Sequence, residues 1–206
     1  MTFGQRFARL VTDLTVRWPW LWPVFKPLMQ FQFDRMAPRW HEMRSADAFA
    51  ALEKTLAALP SPPRRVLDLG TGTGKAAFLI AERFPEAEVV GVDIAEEMLA
   101  EARSRTPPVL SGRVRFEAAD GARLPYDDGA FDLVSLANMI PFFDELERVT
   151  APGGAVVVGF SAGPETPIYV GPGRLRAALG ARGFAEFAEF SAGRGTALLA
   201  RKLGQG

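Results

Sequence analysis

Val66-Leu67-Asp68-Leu69-Gly70-Thr71-Gly72-Thr73-Gly74 ends an apolar strand in a glycine-rich turn headed by a carboxylate. Arg65 to Leu69 reads as a short buried strand, and Lys75 to Phe84 as a helix with Ala77, Ile80, Ala81 and Phe84 on one face. The three glycines between them let the backbone turn tightly and approach a ligand closely, where any Cβ would obstruct. A second apolar run, Glu88 to Val92, ends in Asp93. A carboxylate there can accept hydrogen bonds from both hydroxyls of a ribose. Together the two motifs predict a nucleoside-containing ligand.

Glycine turns serve several nucleotide sites, and details separate them. A P-loop needs G-x-x-x-x-G-K-[ST], but here Leu69 stands where the first glycine should be and Ala76 follows Lys75. A dinucleotide fingerprint can be laid on Gly72-Thr73-Gly74-Lys75-Ala76-Ala77 with Asp93 at suitable spacing, yet it leaves Asp68 unexplained. A carboxylate two residues before the first glycine repels a pyrophosphate and suits a cationic ligand. Asp68-Leu69-Gly70-Thr71-Gly72-Thr73-Gly74 resembles the D-x-G-x-G-x-G motif of the class I S-adenosylmethionine (SAM) dependent methyltransferases at every fixed position.

The resemblance continues for about 140 residues. A third strand, Val114 to Ala118, leads to Asp120-Gly121. Asp127-Asp128-Gly129-Ala130-Phe131-Asp132-Leu133-Val134 is similar to the family's D-G-x-F-D-x-V turn into a fourth strand. Glu145 to Gly154 resembles the helix and L-x-P-G-G turn before a fifth strand, Ala155 to Phe160. Helix Gly173 to Arg182 and strands Phe184 to Phe190 and Thr196 to Leu203 complete the pattern. The fold this implies is α/β, a Rossmann-like seven-stranded sheet, mostly parallel with its last strand antiparallel, flanked by helices and preceded by an N-terminal helical cap. The expected division is a cap over residues 1–60 and a methyltransferase core over 61–206.

The resemblance also implies a cofactor, SAM, and its site. Asp68, Gly70, Thr71, Gly72 and Gly74 would hold its methionyl part. Asp93 with Ile94 would bind the ribose, and Asp120 with Gly121 the adenine. Asn138 follows the fourth strand where the acceptor meets the methyl group. Met139, Ile140 and Phe142, with Tyr169, are the expected acceptor pocket, and their apolar character points to an aromatic or lipid-like small molecule. Two rival functions stay open: an NAD-dependent oxidoreductase, which would leave Asp68 and Asp120 without a task, and a non-catalytic membrane-docking protein on the same scaffold.

The N-terminal segment is individual to this chain. Phe3, Phe7, Leu10, Val11 and Leu14 fall on one helical face, after a capping-box pattern at Thr2. Prolines then recur every four residues through Trp18-Pro19-Trp20-Leu21-Trp22-Pro23-Val24-Phe25-Lys26-Pro27, which argues against an uninterrupted helix. The apolar run is too short to span a bilayer. Asp13 interrupts any signal-peptide core, so a cytoplasmic location is expected. Residues 1–45 carry seven Lys or Arg against three acids, so the remainder of this uncharged chain carries the opposite excess. Basic residues among tryptophans suit an anionic membrane surface. The favoured reading of the same aromatics is a roof over the pocket, and both roles can hold for a lipophilic substrate.

Phe33-Asp34-Arg35-Met36-Ala37-Pro38-Arg39-Trp40-His41 resembles the segment that precedes the core in methyltransferases alkylating quinone precursors. That likeness implies Trp40 near the cofactor, although Trp and His41 replace the family's Tyr and Asp. His41, the sole histidine, is the candidate general base, with a pocket-rim position as the alternative. The chain has no cysteine, which excludes thiol nucleophiles, disulfides and thiolate metal sites, and no metal is expected. Zero net charge argues against nucleic acid as a partner. The composition, rich in Ala, Gly, Pro and Arg, fits a bacterial genome of high GC content.

Overall fold

The computed structural model describes residues 3–40 and 46–204. Helix α1 (Phe3–Arg17), a 3-10 turn at Pro19–Leu21 and helix α2 (Trp22–Trp40) form the N-terminal cap, and α3 (Ala50–Ala57) leads into the sheet. There follow β1 (Arg65–Leu69), α4 (Lys75–Arg83), β2 (Glu88–Asp93), α5 (Glu96–Ser104), β3 (Val114–Ala118) and β4 (Phe131–Ala137). The remainder is α6 (Phe143–Val149), β5 (Thr150–Phe160), α7 (Pro172–Gly180), β6 (Phe184–Ala192) and β7 (Gly195–Lys202).

The seven strands lie in the order β3-β2-β1-β4-β5-β7-β6, and β7 runs antiparallel to both its neighbours. The apolar strands are buried on two faces, as a parallel sheet covered by helices requires. Val66, Val89 and Val157 turn towards α3, α4 and α5, where they meet Leu52, Leu56, Ile80 and Leu99. Their neighbours Leu67, Val90 and Val156 turn the other way onto Leu146, Val149, Leu175 and Leu179 of α6 and α7. The order in which parallel strands are added reverses between β1 and β4, the position where open α/β sheets bind ligands at the carboxyl ends of their strands. Leu69 pairs with both Val92 and Leu136, so Gly70, Asp93 and Ala137 emerge level with one another.

Three expectations need correction. Pro23 and Pro27 lie inside an unbroken α2. Pro23 is its second residue, where the missing N–H would have no partner, and Pro27 faces solvent, so water can serve the carbonyl it leaves unpaired. The only break is the 3-10 turn at Pro19–Leu21. Leu10 is exposed, and the buried stripe of α1 is Val11, Thr12 and Thr15. Arg9 shifts that stripe, because its guanidinium donates to the carbonyls of Pro164, Thr166 and Tyr169. Finally, β5 begins at Thr150: it pairs with Phe131, residues 151–154 bulge out, and Ala155 resumes against Leu133.

Candidate active site

The glycine turn is folded back onto β2. Gly70 N–H and Thr71 N–H both donate to Val92 O, at 2.8 and 2.9 Å, and Gly74 N–H closes the turn on Thr71 O at 3.0 Å. The turn is tied to Asp93 as well. Gly72 N–H donates to Asp93 Oδ2 at 2.9 Å, and Ala95 N–H to Asp93 Oδ1 at 3.0 Å. Burial pushes the Asp93 carboxyl up, and these backbone donors pull it down without cancelling the rise. Asp68 is buried behind the turn, where Thr71 Oγ1 donates to its Oδ2 at 2.6 Å. Asp68 and Thr71 therefore brace the loop from within.

A cleft of about 680 Å³, mouth included, opens in front of the turn. It gathers eight residues singled out from the sequence: Gly70, Gly72, Asp93, Ile94, Gly121, Asn138, Met139 and Ile140. Met139 lies where side chains at Gly70 or Gly121 would stand: a Cβ on Gly70 would come 2.7 Å from its Sδ, and one on Gly121 2.9 Å from its Cε. Asn138 adopts the left-handed φ of 57° that asparagine tolerates, and its Oδ1 accepts Ser161 N–H at 2.8 Å, which ties β4 to β5.

Other expected residues stand elsewhere. Gly74 caps α4 away from the cleft. Phe142 packs behind the wall, edge-on to Trp22 at 5.2 Å. Tyr169 turns to a separate cavity between β5, β7 and α7, its ring 5.0 Å from Phe160. His41 and the side chain of Trp40 lie outside the described residues.

Asp120 is committed to the cap. Its Oδ1 accepts the Trp22 indole N–H at 2.9 Å and Ala122 N–H at 3.0 Å, while Lys26 Nζ sits 2.8 Å from Oδ2. Burial raises this carboxyl, but the Lys26, Ala122 and Trp22 donors outweigh it, so it sits below the ordinary value of 3.8. A depressed carboxyl contributes stability that is complete above the ordinary value and is lost as pH falls through the lowered one. Acid titration should therefore release α2 only below pH 3.8, seen as a change in Trp22 emission, and Asp120→Asn should remove that component. A transition of unchanged size in Asp120→Asn would show that the contact does not hold the cap.

The cap supplies cleft residues too: Trp22 was among the aromatics expected to roof the pocket, and the others were not singled out from the sequence. Trp22, Met29 and Phe33 of α2 line it, together with Met98 of α5 and Ile168 of the β5–α7 loop. Trp22, Lys26, Met29 and Phe33 are spaced for one helical face, a signal hidden by the prolines between them. Nothing local in the sequence marks Met98 or Ile168.

Residues 66–154 match the family model of the methyltransferase domain. Over that stretch the chain carries a methyltransferase domain. A demethylmenaquinone methyltransferase of Thermus thermophilus is 43% identical over 138 residues, 61% of this chain and 62% of that protein. A malonyl-[acyl-carrier protein] O-methyltransferase of Halorhodospira halophila is 41% identical over 65% of this chain and 48% of its own. The chain thus spans under two thirds of these curated relatives. A SAM-dependent methyltransferase from Aquifex aeolicus has the same fold, with TM-score 0.66 at 16% identity over 81% of this chain and 98% of that one. SAM is the cofactor that a methyltransferase domain of this class takes. The cleft fits it chemically, with one carboxylate at the end of β2, glycine backbone beside it and apolar walls around.

Proposed function

We propose that the protein transfers the sulfonium methyl group of SAM to a small apolar or aromatic acceptor held beneath α1 and α2. One observation carries this reading. The inner face of α2, with Trp22, Met29 and Phe33, closes the same cleft whose floor is the glycine turn and Asp93. Under this reading residues 1–60 cap and introduce a catalytic core of residues 61–206, and α3 serves the core by packing on its sheet.

SAM brings a methyl group already activated for transfer, so the protein's task is to orient both reactants and keep water out. Asp93 would hold the ribose hydroxyls with the acceptor capacity its backbone donors leave. Gly70 and Gly72 would carry the methionyl end against bare backbone, on a turn braced by Asp68 and Thr71. Met139, Ile140, Ile168 and the α2 side chains would enclose the acceptor. Among the described lining residues Asp93 is the only ionisable side chain, which favours an apolar acceptor. His41 remains the candidate base. The name of one relative, a demethylmenaquinone methyltransferase, supports a lipophilic acceptor.

Calorimetric titration with SAM and, separately, with NAD tests the cofactor. SAM should bind and NAD should not; the opposite result would overturn the transferase in favour of an oxidoreductase. Labelled methyl from SAM should then appear in an aromatic acceptor extracted into organic solvent. No described helix is long and apolar enough to cross a membrane. A peripheral contact with anionic membrane through the N-terminal segment is part of the proposal, because it would bring the cap to where such acceptors dissolve.

A further inference from the structure

α2 is apolar on two sides. Val24, Leu28, Phe31 and Arg35 repeat the spacing of the cleft-facing residues two positions later, about 200° around the helix axis. Val24 is 71% exposed, Phe31 59% and Leu28 47%. On α1, Arg6, Leu10, Asp13 and Arg17 form a similar outward stripe, and Trp18 and Trp20 stand at the turn between the helices, Trp20 with 73% of its surface exposed. Six of the eight large exposed apolar side chains among the described residues lie between residues 10 and 31. Single exposed hydrophobes need no explanation, but a concentration of this kind marks a binding surface. The opposite sides of both helices bury Val11, Trp22 and Met29 in one cluster, so the exposed stripes face away from the core.

Charge selects the occupant. Arg6, Arg17 and Arg35 are exposed around the patch; the Arg17 guanidinium lies 4.8 Å from the Trp18 ring and that of Arg35 5.7 Å from Phe31. The one acid on the α1 stripe, Asp13, is 3.3 Å from Arg174, and Asp34 turns to the N–H of Glu97. A second copy of this chain would set these arginines against one another. A lipid surface offers indoles the headgroup level they favour and arginines the phosphates they need.

We propose that the outer face of the cap docks on an anionic bilayer, with Trp20, Val24, Leu28 and Phe31 inserted at headgroup depth and Arg6, Arg17 and Arg35 against lipid phosphates. This deepens the peripheral contact proposed above, yet it stands apart from the reaction, since a chain without turnover would present the same surface.

Co-sedimentation of the full chain with vesicles tests it, using phosphatidylcholine mixed equally with phosphatidylglycerol and phosphatidylcholine alone. The mixed vesicles should bind at low salt and release the protein as salt rises. Trp20→Ser with Phe31→Ser should weaken binding roughly tenfold or more. Reversal of Arg6, Arg17 and Arg35 to Glu should weaken it roughly a hundredfold or more. Both variants should keep their affinity for SAM, which shows that they are folded. SAM binding without vesicle binding would overturn the docking alone, and vesicle binding without SAM binding would overturn the reaction alone. Equal binding to neutral vesicles would overturn the docking proposal. So would a reversible dimer that Phe31→Ser abolishes, which would make the patch an interface between copies.

Discussion

Asp93→Ala is expected to lower SAM affinity about 30- to 150-fold, roughly 2–3 kcal/mol. Two losses combine. The ribose would lose charge-assisted hydrogen bonds in a partly desolvated cleft, and the glycine turn would lose one of its ties to β2, the Gly72 N–H bond to this carboxylate, keeping those to Val92 O. Asp93→Asn should recover only part of the affinity, since one backbone N–H would then face an amide NH2. Calorimetry gives the affinity, and thermal unfolding without ligand separates loop loosening from ligand contact. Unchanged affinity in Asp93→Ala would remove Asp93 from the site.

Gly74→Val should strike the fold itself. Gly74 has φ +82°, which a β-branched residue does not adopt without strain. Its Cβ would stand 2.8 Å from the Phe116 ring and 2.9 Å from that of Phe78, two aromatics packed edge to face at 5.7 Å. Backbone strain and overpacking, each about 1–3 kcal/mol, add to roughly 3–5 kcal/mol. That is a large share of the stability of a domain of this size. Urea unfolding should show a much lower midpoint at similar slope. A midpoint within experimental error of the parent would show that the rings move aside freely.

What the sequence made legible was local. A buried strand, three glycines and a helix lie within twenty residues, and their chemistry needs no distant partner to be read. The sheet followed because apolar strands alternate with helices in a pattern that admits few windings. The cap was legible as a helical segment expected to roof the pocket, but its detail was opaque for two physical reasons. Proline spacing argued against a helix, although Pro23 sits in the first turn, where a helix tolerates it, and Pro27 lies on the solvent side of an unbroken α2. Polar groups facing inward, such as Arg9 on its three carbonyls and Lys26 on Asp120, break the apolar periodicity that marks a buried face. Asp120 itself was identified by position, but its indole and ammonium partners lie more than ninety residues earlier in the chain, beyond the reach of any local pattern.

The place of β7 has a consequence for biosynthesis. It is the last of the described strands in chain order, yet it lies between β5 and β6 and pairs with β5 from Ala155↔Arg201 to Phe160↔Thr196. It sends Ala197 and Leu199 into one core layer and Leu198 and Ala200 into the other. As the chain leaves the ribosome, β5 emerges with an open edge and β6 without a neighbour, and neither can be satisfied until residues 195–202 follow. Nascent protein therefore dwells with an unpaired apolar strand, the kind of edge that invites wrong pairing and chaperone capture. Completion of the sheet is a late, non-local closure that waits for nearly all of the fold to be made.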